Sequence, residues 1–144
     1  MRYLKKIALL SAAERFLLFR AWMALALFRL GLFLVPFPRL KAWSESGSPR
    51  ASKTPLSAAQ IGFAVARASR LVPRSTCLVQ ALAAQRLLHR ANHASSLHVG
   101  VKPSGSQLLA HAWVECAGAV VVGGEEAALY TPILRSDHRK NENR

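Results

Sequence analysis

The stretch Arg74-Ser75-Thr76-Cys77-Leu78-Val79-Gln80-Ala81-Leu82, taken with Leu109-Ala110-His111-Ala112-Trp113-Val114-Glu115, decides how this chain is read. The first stretch opens with hydroxyl side chains suited to capping and runs into helix-forming residues, so it predicts a helix whose start carries Cys77. The second predicts a strand from Gln107 to Glu115, with Leu109, His111, Trp113 and Glu115 on one face and Leu108, Ala110, Ala112 and Val114 on the other. A thiol at a helix N-terminus faces unpaired backbone N–H groups and the positive end of the helix dipole, which favours the thiolate. A helix-borne thiol followed by a strand-borne imidazole is the order of a cysteine nucleophile and its base. The plainer reading stands beside it: a lone cysteine as a small buried hydrophobe and a lone strand histidine as a structural residue.

Working outward, Val72-Pro73-Arg74 separates the Cys77 helix from an earlier one, in which Ile61, Val65 and Ala68 recur at helical spacing up to Arg70. Thr54-Pro55-Leu56-Ser57 supplies that helix with a cap and a proline at its first position. The Cys77 helix itself shows Leu78, Leu82 and Leu88 on its apolar side and closes at Asn92-His93. From Ser95 the period becomes two: Leu97, Val99 and Val101 alternate with Ser96, His98 and Gly100, a turn occupies residues 102–106, and Ala119 to Val122 forms a further hairpin strand. The expected class is α+β. Its parts are an amphipathic helical segment over 1–40, ending at Val35-Pro36-Phe37-Pro38; a flexible linker over 41–55; a core over 56–135; and a charged tail over 136–144.

The start, Met1-Arg2-Tyr3-Leu4-Lys5-Lys6 before Ile7 to Ala13, imitates a signal peptide, but the apolar pattern resumes after Glu14-Arg15 instead of turning polar. Arg15, Arg20 and Arg29 interrupt the segment, so a spanning helix is not expected, while a membrane-surface role stays open. The chain has 144 residues, enough for one domain, and 20 Lys+Arg against 7 Asp+Glu, a formal charge of +13. That excess implies an anionic partner: nucleic acid, an anionic membrane, or an acidic peptide or protein. No nucleic-acid motif is present. The two cysteines, Cys77 and Cys116, encode neither a disulfide framework nor a structural zinc site, and a reducing cytoplasm is the expected compartment.

The segments Cys77 to Leu82, His98-Val99-Gly100-Val101, and Ala110 to Glu115 with Gly118 closing the hairpin resemble the lasso-peptide B protein, specifically its stand-alone transglutaminase-like leader peptidase half. The resemblance covers Leu56 to about Leu134 and extends to the apolar N-terminal helix ending at Pro36-Phe37. It implies a transglutaminase/papain-like core, with the Cys77 helix packed on a small antiparallel sheet. It also implies a cysteine peptidase that removes the leader from a ribosomally made precursor. The implied partners are the precursor leader peptide, a separate leader-binding protein and an ATP-dependent macrolactam synthetase, and the implied catalytic pair is Cys77 and His111.

The family shows an aspartate about a dozen residues after the histidine, where this chain has Gly123-Gly124 followed by Glu125-Glu126. Glu125 is the substitute candidate, reaching back if the glycines bend the strand end; a solvated turn carboxylate and a plain Cys77–His111 dyad are the alternatives. Glu115, two positions from His111, is expected as a rim charge, His98 as a surface histidine beside a turn, and His89 and His93 as helix-end charges. Trp113 is expected to shield the imidazole or meet a substrate, and Gln80 to touch the cleft or solvent. Neither a metal site nor a cofactor is expected, since ligand spacing and a Gly-rich phosphate loop are both missing. Arg67, Arg70, Arg74, Arg86 and Arg90 suit an acidic leader or simple solvation. The competing functions are a basic adaptor without catalysis and an acyltransferase that uses an amine in place of water.

Overall fold

Helix α1, Ala12–Leu34, begins with reciprocal hydrogen bonds: the Glu14 carboxylate accepts from the Ser11 N–H at 2.7 Å, and the Ser11 hydroxyl accepts from the Glu14 N–H at 3.2 Å. The Ser11 backbone N–H, and then its hydroxyl, hold the Glu14 carboxyl below its ordinary range. The computed structural model describes residue 6, residues 8–49 and residues 55–137. The basic start at Met1 to Lys5 and the tail from His138 to Arg144 lie outside them. Helix α1 passes through Arg15, Arg20 and Arg29 without a break and stops at Val35, which is extended as the residue before a proline prefers. By length and composition it is the one described helix long and apolar enough to cross a bilayer. One of its faces nevertheless belongs to the core, where Leu17, Ala21, Leu25 and Phe28 are buried.

The prolines do not end the helical region for long. Helix α2, Phe37–Ser44, starts with Pro38 in its first turn, where no intrahelical N–H bond is lost, and so takes up residues 41–44 of the expected linker. The residues that follow are tied down. Arg86 Nη1 donates to the Trp43 carbonyl at 2.6 Å and the Ser46 carbonyl at 2.9 Å, and His89 Nε2 bonds the Gly47 carbonyl. Residues 50–54, including the expected cap Thr54, lie outside the described residues. Helix α3, Ala58–Ser69, is capped instead by Ser57, whose hydroxyl and backbone pair with Gln60.

Helix α4, Cys77–Arg90, takes Thr76 as its cap, the hydroxyl accepting from the Val79 N–H at 3.3 Å. It is the central helix: α1, α2 and α3 pack on it, and so do strands of the sheet. Its Val79, Leu82 and Leu88 are fully buried. The sheet is antiparallel, in the order β3-β2-β1-β4, with β1 at Ser95–Ser104, β2 at Gln107–Cys116, β3 at Ala119–Val122 and β4 at Thr131–Asp137. The turn between β2 and β3 places Ala117 and Gly118 both at positive φ, 51° and 80°, the geometry that suits a two-residue hairpin.

Strand β4 is absent from the sequence-based expectation. Pro132 conceals it, being tolerated because β4 is an edge strand. Ser136 and Asp137, expected in the tail, pair with Leu97 and Ser96. Between β3 and β4 lies a single helical turn, α5, Gly124–Ala127. One sheet face contributes Leu97, Ala112, Val114 and Val122 to the main core, and the other carries a second cluster of Trp113, Ala127 and Tyr130. Strand β1 is therefore covered on both faces, and His98, expected at the surface, is buried.

Candidate active site

Cys77 is the first residue of α4 and is half-buried, so its thiol sits beside the helix end whose N–H groups have no intrahelical partner. His111 lies on β2, paired opposite Gly100 of β1. Both line one cavity of about 290 Å³, which Phe37, Leu78, Val99, Ile133 and Leu134 help to wall. The structure thus brings together the two residues that the sequence singles out, in a recess whose other walls are apolar.

The imidazole is oriented from behind by the backbone. His111 Nε2 is 2.9 Å from the Gly123 carbonyl oxygen. A carbonyl only accepts, so Nε2 carries a proton and donates it to this bond, which leaves Nδ1 as the nitrogen available to act as a base. Gly123 presents its carbonyl by adopting φ 80° and ψ 20°, a left-handed conformation. A Cβ there would stand 2.8 Å from the Ala112 carbonyl oxygen and 3.2 Å from His111 Nε2. Glu125, the candidate third member, is exposed in α5, and among the described residues no hydrogen bond or ion pair joins it to His111.

Aromatic rings hold the imidazole from the sides. His111 stacks on Trp113 with centroids 6.1 Å apart and packs against Tyr130 at 5.1 Å. Trp113 in turn stacks on His98 at 5.3 Å, only 6° from parallel. Trp113 Nε1 donates to Glu115 at 3.3 Å, and the same carboxylate lies 3.4 Å from His98 Nε2. That second contact lacks hydrogen-bond alignment and acts through charge when the ring is protonated. Glu115 is accordingly a half-buried anchor of the stack and not a rim charge. Trp113 is buried behind the imidazole, which leaves it shielding His111 and not meeting a substrate. The stack closes only because residue 100 is glycine: a Cβ there would come within 2.9 Å of both the Trp113 ring and Tyr130 Cβ.

The remaining candidates serve the fold. Gln80 donates to the Ser75 carbonyl at 3.3 Å and so braces the approach to Cys77. His93 bonds the Leu56 carbonyl at 2.6 Å, and with the His89 bond to Gly47 this replaces the expected helix-end charges by two cross-links to the segment before α3. Arg86 is drawn onto the Trp43 ring and carbonyl, and burial, followed by the nearby Arg90, lowers its pKa. Among the described residues no three His, Cys, Asp or Glu side chains converge to hold a metal ion. Sequence reasoning missed Phe37, Tyr130 and the Gly123 carbonyl. The glycine pair at residues 123–124 was the available signal for the last of these.

A cysteine at the start of a central helix and a histidine on an antiparallel sheet, lining one cavity, give an α+β domain the arrangement that thiol acyl-transfer chemistry uses. The chain belongs to the transglutaminase-like superfamily, whose family model matches residues 18–135. Members are typically cysteine peptidases or acyltransferases. Neither a comparison with curated proteins nor one with solved structures returns a match.

Proposed function

We propose that this chain is the leader peptidase of a lasso-type precursor peptide. The observation that carries the proposal is the shared cavity of Cys77 and His111, with His111 turned by the Gly123 carbonyl so that Nδ1 is the basic nitrogen. In this mechanism His111 Nδ1 takes the proton of the Cys77 thiol, and the thiolate attacks the scissile carbonyl at the leader–core junction. The C–N bond breaks as His111 protonates the leaving amine, and a water activated by His111 hydrolyses the thioester. The Cys77 backbone N–H, at the unpaired end of the helix, donates to the developing oxyanion in this reading. No cofactor enters these steps. Glu125, expected as an orienting acid, has no part in the His111 hydrogen bond and is left as a flanking charge.

The resemblance of the motifs to the lasso-peptide B protein supports the substrate class, and the basic surface suits an acidic leader or a leader-binding partner. The macrolactam synthetase would act on the released core in the same reducing cytoplasm. Superfamily membership supports an acyltransferase reading as well, in which an amine takes the acyl group in place of water. Both are tested by mass spectrometry of a matched precursor incubated with the chain and its leader-binding partner. Cleavage at one bond that vanishes in Cys77→Ala and in His111→Ala supports the peptidase, and a fragment heavier than the hydrolysed one by the amine less one water supports the transferase. Cleavage that survives Cys77→Ala overturns both.

A further inference from the structure

Helix α1 is apolar on two sides. The side formed by Leu17, Ala21, Leu25 and Phe28 packs on α3 and α4. Opposite it, Phe16, Phe19, Met23, Leu27, Leu30 and Leu34 follow one another at steps of three and four residues, each 42 to 73 % exposed. They make a single ridge about 27 Å long at the rise of an α-helix. A contiguous outward patch of this kind marks a surface that something covers.

We infer that this ridge docks on an anionic lipid surface, with α1 lying in the plane of the interface. Three features select that occupant. The Arg20 guanidinium lies over the Phe16 ring of the ridge at 5.9 Å, and on the same helix that of Arg29 lies over the exposed Phe33 ring at 4.5 Å, so this helix pairs charge with aromatic surface, as lipid headgroup regions do. Glu14 is the only acid on the helix, and it is held in the bond with Ser11. The chain carries +13, so an anionic leaflet attracts it as a whole, whereas a second copy meeting the same ridge would set these arginines against their own equivalents. Docking this way leaves the core-facing contacts of α1 intact. Transmembrane insertion, in contrast, would strip Leu25 and Phe28 from the core.

Flotation of the full chain with lipid vesicles tests the inference, because aggregates sink and vesicles rise. The wild type should float with phosphatidylcholine vesicles containing phosphatidylglycerol and stay behind with phosphatidylcholine alone, and high salt should release it. The double variant Leu27→Glu, Leu30→Glu should keep its circular dichroism and melting temperature, since both side chains are exposed, while its bound-to-free ratio falls by about tenfold or more. Cys77→Ser should float like the wild type, which separates docking from catalysis. Failure of the wild type to float on the anionic vesicles overturns the inference, and so does unchanged flotation of the double variant. So does a wild type that elutes as a dimer, ignores vesicles and becomes monomeric in the double variant, which would make the ridge an interface between copies.

Discussion

His111 Nε2 and the Gly123 carbonyl oxygen stand 2.9 Å apart, so the histidine of this site is oriented by main chain where related chemistry uses a carboxylate. The bond depends on a left-handed backbone at Gly123, with no room for a side chain. Gly123→Ala should therefore lower kcat/KM by roughly 10²-fold, the scale of losing a positioned base. It should also destabilise the fold by about 1–3 kcal/mol through backbone strain. Glu125→Gln is the comparison: as an exposed charge outside the bond it should change kcat/KM by less than about threefold. Steady-state kinetics on the precursor, beside urea denaturation, checks all three values. A loss for Glu125→Gln as large as that for Gly123→Ala would return the carboxylate to the catalytic set.

Gly100 makes a second test of how the imidazole is held. The Trp113 ring and Tyr130 occupy the space where its side chain would be, and Tyr130 packs on His111. Gly100→Val should overpack this cluster and cost about 1–3 kcal/mol of stability, seen as a lowered denaturation midpoint. Because the stack also fixes the ring of His111, activity should fall even where the variant remains fully folded.

The candidate pair of Cys77 and His111 was legible as a helix start and a strand because each member sits in a local pattern, a capped helix start and an alternating strand, that sequence reports directly. The burial of His98 was not legible. Alternation states which residues share a face but not whether that face is covered, and the cover over His98 is the Trp113 ring, which clusters in turn with Ala127 of α5 and with Tyr130, residues that follow far along the chain. Residues 41–47 are illegible as structure for a related reason. Their Ser and Lys content resembles a loop, yet α2 and the bonds from Arg86 and His89 give their backbone partners that composition cannot announce. The glycine pair signals a bend. What it orients is a carbonyl, a group every residue has and no sequence marks.

The two thiols should differ sharply in reactivity. Cys116 is buried, and desolvation pushes its thiol pKa up, whereas Cys77 opens a helix beside a histidine. Limited iodoacetamide at neutral pH should add one carbamidomethyl group, located at Cys77 by peptide mapping, and inactivation should follow that modification. Cys116→Ala should retain activity. Raised pKa values carry a sign: below the unfolded thiol pKa both states are protonated and nothing is lost, and stability drains as pH climbs through the raised folded value. Wild type should accordingly lose more stability than Cys116→Ala on moving to strongly alkaline pH.

Glu45 joins parts of the chain that are far apart in sequence. Its carboxylate accepts from the Ser136 hydroxyl of β4, lies 3.2 Å from Lys41 Nζ of α2, and receives the Gln85 amide of α4 at 3.5 Å, while Ser44 reaches Gln85 at 2.9 Å. Gln85 and Ser136 are buried, so removing the acceptor leaves donors without partners. Glu45→Ala should cost about 1–3 kcal/mol, and Glu45→Gln, which keeps one acceptor oxygen, should cost less. The loss should be local first. Strand β4 is an edge strand, and its Ile133 and Leu134 wall the cavity of Cys77 and His111. Hydrogen exchange should therefore show the amides of β4 opening before those of α4, with KM rising more than kcat falls as one wall of the substrate recess loosens. Uniform exchange across α4 and β4 in Glu45→Ala would mean that Glu45 supports the whole domain and not this strand.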